Sequence, residues 1–414
     1  MTPANQLSAS QARGALDRGE ISAAELLAAC RARIAERDGA VKAWCHLGRD
    51  KASDTPGPLA GIPVGIKDII DTADMPTTYG SEVYPDHRPA MDAACVALVR
   101  AAGGTVLGKT VSTEFAYFQP GNTANPHNLA HTPGGSSSGS AAAVADCMVP
   151  LAFGTQTGGS VIRPAAFCGV VGYKASYGAM PLYGVKALGH DLDSLGWFCR
   201  ELADVHLMRA ALVGAAVEVD AVKPRIGLCR TYEWEQADGD SQAAVLAAAK
   251  SLEAAGADVV DVDLPPLFGT LVEQQKVVMA QNAARDLAFE YNNHRDRMSK
   301  HIVALIEQGL GVDFRTYQAA ITAAVQGRRH LHRVFAEVDV LLCPSAPGEA
   351  PESLENGTGD PVFNRMWTLL GSPCVNLPGH TGRHGLPVGV QAVGALGRDE
   401  KLQAHCAWME SRIT

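Results

Sequence analysis

The sequence lacks any long apolar run, any excess of basic residues and any C-x-x-C pair of cysteines. No window approaches the roughly 18 uncharged apolar residues that a membrane-spanning helix needs, so we expect no membrane span. A net charge of −9 argues against a nucleic-acid-binding surface. The ten cysteines have irregular spacings, which are typical of free thiols in a reducing compartment. The N-terminal residues also lack a basic-then-apolar signal pattern, and we therefore expect a cytoplasmic protein.

What is present is enough apolar sequence for a large core, since 47% of the 414 residues are hydrophobic. Hydrophobic periodicity and turn signals predict helices at 6–37 (two), 91–102, 140–145, 241–256 and 271–336, the last broken near 309 and 311. They predict strands at 59–66, 105–107, 148–154, 225–229, 259–264 and 338–343. This alternation indicates a mixed or parallel sheet covered by helices.

Two serines and one lysine carry the strongest chemical signal. Ser136 lies in P-G-G-S-S-S-G-S and Ser160 in G-T-Q-T-G-G-S-V-I-R-P, 24 residues apart, and each follows a Gly-Gly pair. Glycine beside a serine allows a sharp turn that brings backbone N–H groups close to a bound oxyanion. Lys67 has apolar neighbours in G-I-P-V-G-I-K-D, and a lysine shielded from water can titrate low enough to act as a base. Together these residues indicate acyl transfer without histidine.

These segments, with L-D-S-L-G at 192–196 and G-L-P-V-G-V-Q at 385–391, resemble the amidase signature hydrolases over nearly the whole chain. The resemblance implies a triad in which Ser160 is the nucleophile, Ser136 bridges after a cis peptide bond and Lys67 is the base. It implies no cofactor and no metal. It also implies one α/β domain over residues 1–414, with a mixed, mostly parallel sheet covered by helices on both faces. Helices in about the first 40 residues are expected to pack on that core.

Further residues near the nucleophile are expected to contact the substrate. Backbone N–H groups for the oxyanion are expected from Thr157, Gly158, Gly159 and Ser160. Substrate-binding contacts are expected from Arg163, Gly135 and Gln156. For Arg163 two interpretations remain open, a structural salt bridge and a clamp for a carboxylate or carbonyl near the scissile amide.

Among subgroups the motifs are most similar to malonamidase-type enzymes, which share G-G-S-S-S-G-S and G-T-Q-T-G-G-S-V-I-R-P. The expected function is therefore hydrolysis of a small carboxylic amide such as malonamate, through an acyl-enzyme. The expected partner is a small-molecule amide, with no nucleic acid and no membrane, and a homodimer is a family-level expectation. Two alternatives stay open: the A-type component of a tRNA-dependent amidotransferase, and an amidase for larger neutral amides.

Other patterns point to weaker sites. Residues 103–110, G-G-T-V-L-G-K-T, fit a P-loop, but a helix precedes them and T-V-L is typical of a strand, so nucleotide binding is not expected. His127 and His131 have helical metal-ligand spacing but lie in a proline-flanked loop, so no metal is expected there. Structural hydrogen bonds are expected at Asp193 and Gln391. Asn364, Arg365 and Trp367 are candidates for a substrate wall.

Overall fold

The computed structural model describes residues 2–215, 219–354 and 357–413, so the predicted 1–414 domain includes a few positions outside the described residues. The strands are β1 Trp44–Leu47, β2 Pro63–Lys67, β3 Thr105–Thr110, β4 Leu151–Gln156, β5 Val171–Lys174, β6 Ser194–Cys199, β7 Arg225–Leu228, β8 Asp258–Asp261, β9 Val340–Pro344, β10 Cys374–Thr381 and β11 Pro387–Val393. The helices are α1 Ala9–Asp17, α2 Ala23–Val41, α3 Ala94–Ala101, α4 Ser138–Ala145, α5 Ile162–Cys168, α6 Leu202–Val213, α7 Gly239–Ala254, α8 Leu271–Asp286, α9 Ala288–His294, α10 Lys300–Leu310, α11 Phe314–Glu337, α12 Val362–Leu369 and α13 Asp399–Glu410.

All eleven strands form one sheet in the order β1-β3-β2-β4-β6-β5-β10-β11-β9-β7-β8. Helices pack along this sheet, which confirms the predicted single α/β domain with a mixed sheet. The expected parallel majority is wrong, because six of the strand pairings among the described residues are antiparallel and four are parallel. One reason is that β6 inserts between β4 and β5 and runs antiparallel to both. The long connection over residues 175–193 allows this reversal, and strand–helix alternation does not reveal it.

The parallel neighbours β2 and β4 create the edge on which the candidate site is built. Val64 pairs with Leu151 and Gly65 with Ala152, so the two strands run in register toward the same edge. Carboxyl ends of adjacent parallel strands meet at one edge of a sheet, where ligands commonly bind. Lys67 is the last residue of β2, and Thr155 lies at the same end of β4.

The two predicted N-terminal helices are present as α1 and α2. Ser8 caps α1: its hydroxyl accepts a hydrogen bond from the backbone N–H of Gln11, and the Gln11 side chain accepts one from the backbone N–H of Ser8. Ser22 and Glu25 form the same reciprocal cap at α2. Such caps satisfy N–H groups that have no partner inside the helix. Apolar residues of both helices are buried in the main core.

The helical stretch predicted at 271–336 is four helices, α8 to α11. Its expected break near residues 309 and 311 is confirmed, because α10 ends at Leu310 and the Asp313 carboxylate caps α11. Gly309 has a packing reason to be glycine: a Cβ there would lie 1.9 Å from the carbonyl oxygen of Ala280 in α8. Among the described residues, no helix has both the length and the apolar character that a membrane crossing requires.

The segment that fits a P-loop pattern is mostly strand, as predicted. Residues Thr105–Thr110 form β3, which is fully buried in the sheet. Lys109 points into the core, where its Nζ lies 3.2 Å from Asp68 Oδ1 and donates to the carbonyl of Ile70 at 2.7 Å. A P-loop lysine must instead face bound phosphates at the opening of a helix. Lys109 thus forms a buried ion pair with Asp68.

Candidate active site

Lys67 lies completely buried at the end of β2, and its amine has only hydroxyl groups as hydrogen-bond partners. Nζ donates to Ser136 Oγ at 2.7 Å and to Thr155 Oγ1 at 3.0 Å. No carboxylate of the described residues lies within ion-pair distance of Nζ. Burial lowers the pKa of Lys67 to about 7, while the charge of Asp193 acts in the opposite direction. A substantial fraction of this amine is therefore neutral near pH 7.

The peptide bond between Gly135 and Ser136 is cis, as the family resemblance implied. Gly135 has no room for a side chain, because a Cβ there would lie 2.6 Å from Cγ2 of Thr358. Its carbonyl oxygen accepts a hydrogen bond of 2.6 Å from Arg163. Gly135 thus contributes backbone to the site and links the Ser136 loop to α5.

Ser160 lies in the turn between β4 and α5 and is only 7% exposed. Its hydroxyl makes no hydrogen bond to another group of the described residues. The backbone N–H groups of residues 157–160 likewise donate to no other group in the part of the chain that the structure describes. Unpartnered N–H groups beside a free hydroxyl are the arrangement that an oxyanion requires.

The side chain of Gln156 is completely buried and forms hydrogen bonds to the turn that carries Ser160. Its Oε1 accepts hydrogen bonds from the N–H groups of Val161 at 3.0 Å and Ile162 at 3.1 Å. Its Nε2 donates to Thr368 Oγ1 at 3.0 Å. Gln156 is not among the residues that line the cavity. The three hydrogen bonds of this side chain all hold the turn in place, and the substrate contact expected of Gln156 stays a prediction.

Arg163 is buried beside the cavity without an acidic partner. One terminal nitrogen donates to the Gly135 carbonyl at 2.6 Å and to Thr358 Oγ1 at 2.9 Å, whereas Nε and the other terminal nitrogen have no partner in the described residues. The guanidinium carbon lies 5.9 Å from the centre of the Phe118 ring. Burial, together with the charge of Arg365, lowers the pKa of Arg163 to about 9. Arg163 therefore has no acidic partner among the described residues with which to form the structural salt bridge of the first interpretation.

Arg365 adds a second buried cation to the same cavity. It donates to Gln275 Oε1 at 2.6 Å, and its Nε has no partner in the described part of the chain. Burial lowers its pKa, while the charge of Asp360 opposes this shift. In the sequence Arg365 was only one of three candidates for a substrate wall. Of those three residues, it alone lines the cavity.

The carboxylate of Asp193 links the turn that carries Ser160 to the segment of Leu188 and Gly189. It accepts hydrogen bonds from the Thr157 hydroxyl and from the N–H groups of Leu188 at 3.0 Å and Gly189 at 3.1 Å. Burial raises the pKa of Asp193 to about 6, and these hydrogen bonds act in the opposite direction. The hydrogen-bonding role predicted for Asp193 is confirmed.

The cavity brings together residues from five separate segments of the chain. Its free volume is only about 30 Å³, far below the several hundred cubic ångströms, roughly 300–1,000 Å³, of typical ligand sites. Its lining residues are Ala116, Tyr117, Phe118, Ser136, Thr157, Gly158, Gly159, Ser160, Arg163, Leu188, Thr358, Pro361 and Arg365. Sequence reasoning missed six of these residues, because no motif marks them and only the fold brings them into one cavity with Ser160: Ala116, Tyr117, Phe118, Leu188, Thr358 and Pro361.

The remaining candidate residues lie outside the cavity lining. Ring nitrogens of His127 and His131 contact the carbonyl oxygens of Cys168 at 2.9 Å and Ala350 at 2.7 Å. Gln391 donates to two backbone carbonyls, which confirms its predicted hydrogen-bonding role. Asn364 donates to the backbone carbonyl of residue 345 at 3.0 Å, and Trp367 is part of the buried core.

Comparison with known proteins places this site in a family. Residues 25–402 match the family model described as Amidase. A crystal structure of an amidase superposes with a TM-score of 0.90 and 28% identity, covering 99% of this chain and 100% of that chain. The A-type component of glutamyl-tRNA(Gln) amidotransferase from Thermotoga maritima superposes with a TM-score of 0.84 and 27% identity, covering 98% and 95%.

The curated relatives correct the predicted function and partner. The A-type component of glutamyl-tRNA(Gln) amidotransferase from Halothermothrix orenii is 33% identical over 441 aligned residues, covering 92% of each chain. Further relatives of similar coverage carry the same name. The malonamidase-type hydrolysis expected from the motifs is therefore wrong. The expectation of a small-molecule partner without nucleic acid is also wrong, because these relatives are named as one component of an enzyme acting on a tRNA. The chain belongs to the amidase family and is an enzyme that acts on amide C–N bonds.

Proposed function

We propose that this chain is the A-type component of a tRNA-dependent amidotransferase and that it releases ammonia from the side-chain amide of glutamine. The observation that carries the chemistry is the 2.7 Å hydrogen bond from buried Lys67 to Ser136, in a cavity that Ser160 also lines. The relatives that bear the amidotransferase name align along nearly the full chain and support the assembly.

In the proposed mechanism Ser160 Oγ attacks the amide carbon, and its proton passes to Ser136 Oγ while the proton of Ser136 passes to neutral Lys67. The N–H groups of residues 157–160 stabilise the oxyanion of the tetrahedral intermediate. Lys67 then returns one proton to Ser136 Oγ while Ser136 gives one proton to the leaving nitrogen, so ammonia departs and an ester on Ser160 remains. Water then attacks this ester by the reverse relay, which gives the free acid and restores Ser160.

The α-carboxylate of glutamine matches the two positive charges of the cavity. Arg163 and Arg365 are both buried beside Ser160, and neither has a carboxylate within ion-pair distance in the described residues. Buried cations without partners are costly, and a carboxylate pairs with arginine through directed hydrogen bonds. We therefore propose that the α-carboxylate of glutamine occupies the side of the cavity that these two arginines line.

The test measures ammonia release from glutamine by the purified chain, then amide transfer to glutamyl-tRNA(Gln) after addition of the other amidotransferase components of the same organism. We expect Ser160-dependent ammonia release and transfer only in the assembled enzyme. A stand-alone amidase is the second candidate, favoured by the TM-score of 0.90 to a solved amidase. Rapid hydrolysis of neutral amides, with no transfer in the assembled mixture, would establish that candidate instead.

Replacing Arg365 by methionine is expected to raise the KM for glutamine about a hundredfold, because a charge-assisted hydrogen bond contributes about 1.5–3 kcal/mol. Hydrolysis of a neutral amide such as propionamide is expected to change much less. Arg333→Met in α11 is the matched control, since Arg333 is exposed on the helix surface. Equal losses on glutamine and propionamide would contradict a carboxylate contact.

Replacing Thr155 by valine is expected to lower kcat/KM about tenfold, because Lys67 loses one of its two hydroxyl partners. Thr155→Ser keeps the hydroxyl and is expected to retain most of the activity. Steady-state kinetics on glutamine checks both variants. If Thr155→Val and Thr155→Ser have the same kcat/KM, the Thr155 hydroxyl does not position Lys67.

A reducing, cytoplasmic compartment is also part of this proposal. It is supported by the ten cysteines, all of which are free thiols and eight of which are buried. The homodimer expected from the family stays a prediction, and sedimentation of the purified chain checks it.

A further inference from the structure

One wall of the cavity has an unusual backbone. Ala116, Tyr117 and Phe118 line the cavity, and the turn that carries them begins at Phe115. Phe115 has φ 45° and ψ 35°, and Ala116 has φ 61°. Two consecutive residues other than glycine in the left-handed region are rare, and such a backbone persists only where the surrounding structure enforces it. Contacts around the Phe115 ring supply that enforcement here.

Lys186 is at the centre of those contacts. Its Nζ lies 5.9 Å from the ring centres of Tyr79 and Phe115 and 6.0 Å from that of Tyr84. A cation that faces aromatic rings at such distances attracts each of them. The backbone N–H of Phe115 also donates to the carbonyl of Tyr79 at 2.9 Å. The Phe115 ring is therefore held by Lys186 and by an edge-to-face contact with the Tyr84 ring at 6.3 Å between ring centres, and the Phe115 backbone is held by Tyr79.

A buried carboxylate fixes Lys186 itself. Glu290 of α9 is 1% exposed, forms an ion pair with Lys186 and accepts a hydrogen bond of 2.7 Å from the Tyr84 hydroxyl. The backbone N–H of Lys186 donates to the carbonyl of Ile69 at 2.9 Å, two residues beyond Lys67. Lys186 is thus fixed both to the segment that directly follows β2 and to α9.

We propose that Lys186 is a positioning residue that locks the left-handed turn and thereby sets the size limit of the acyl-binding cavity. Phe118 follows the turn, and its ring centre lies 5.9 Å from the guanidinium carbon of Arg163. Both residues line the cavity. The inference rests on the proposed hydrolysis at Ser160. It adds a specificity determinant that contacts no reacting atom. The expected consequence is that the wall favours slender aliphatic acyl groups over bulky aromatic ones.

The kinetic test compares kcat/KM for propionamide and for phenylacetamide in the wild type, Lys186→Met and Lys186→Arg. We expect Lys186→Met to raise the phenylacetamide-to-propionamide ratio at least about tenfold, since the wall can then move outward. Lys186→Arg keeps the cation and is expected to return the ratio close to the wild-type value. Lys276→Met is the control, because Lys276 pairs with Glu273 on the surface of α8. A lower melting temperature with an unchanged ratio would mean that Lys186 stabilises the fold without setting the size limit.

A second measurement does not depend on activity. Hydrogen exchange of the amides of residues 115–118 is expected to accelerate at least about tenfold in Lys186→Met relative to Lys276→Met. Unchanged exchange overturns the inference even if the enzyme hydrolyses no amide, so its failure is distinct from failure of the proposed function. If Lys186→Met does not fold, Phe115→Leu removes one ring and keeps the ion pair with Glu290. It is expected to change the exchange of residues 116–118 in the same direction, and no change would overturn the inference.

Discussion

Replacing Ser160 by alanine is expected to reduce ammonia release from glutamine by at least about 10⁴-fold, since removing a nucleophile abolishes the covalent route. The protein is expected to fold as before. The Ser160 hydroxyl has no hydrogen-bond partner in the described residues, so its loss leaves no buried group unsatisfied. A coupled assay for ammonia and a thermal melt measure the two effects.

The control for this variant is Ser411→Ala, which changes an exposed serine beyond α13. It is expected to show wild-type activity. Activity retained by Ser160→Ala would show that another group attacks the amide. Loss of activity together with a large drop in melting temperature would attribute the effect to unfolding instead, and the lack of hydrogen bonds from the Ser160 hydroxyl to the described residues argues against that outcome.

The second large effect is expected at Lys67, first as a pH dependence. The proposed base must be neutral to accept a proton, and burial lowers its pKa to about 7. Below that pH the amine carries a proton and the relay stops. Consequently kcat/KM for glutamine should rise about tenfold per pH unit on the acid side and level off above about pH 7. The profile is measured over a range in which the melting temperature stays constant.

Two variants test whether titration of Lys67 causes the fall of kcat/KM at low pH, which we call the acid limb of the profile. Lys67→Met is expected to lose at least about 10³-fold in kcat/KM, because no other base of the described residues contacts Ser136. Asp193→Asn is expected to shift the limb to lower pH, because the carboxylate of Asp193 raises the pKa of Lys67 through its charge. A limb that stays in place in Asp193→Asn would indicate that a different group titrates.

The residues proposed for catalysis could be identified from local patterns. Gly-Gly before Ser136 and before Ser160, with a lysine among apolar residues, identified three positions that are distant in sequence. The structure places Lys67 in hydrogen-bond contact with Ser136 and lets Ser136 and Ser160 line one cavity. The family resemblance supplied this pairing, because periodicity alone does not show which strand lies next to which.

The subgroup was predicted wrongly for a physical reason. The motif G-T-Q-T-G-G-S-V-I-R-P forms the turn that carries the nucleophile, so it reflects chemistry that amidases of many substrates share. Gln156 illustrates this, since its side chain holds the turn and does not line the cavity. Substrate choice depends on the walls, and the walls come from other segments, such as Phe118 and Arg365.

The sequence by itself determined α1–α4, α7 and the helical stretch of α8–α11, the six strands β2–β4 and β7–β9, the caps at Ser8 and Ser22, and the residues of the nucleophile turn, because these depend on neighbours in the chain. The other strands and helices were not predicted. Only the tertiary structure decided that β6 lies antiparallel between β4 and β5. It also decided that Arg163 and Arg365 share a cavity without an acid in its lining, and that Lys186 lies against the ring of Phe115. These features require contacts between residues tens to hundreds of positions apart, which local propensity does not specify.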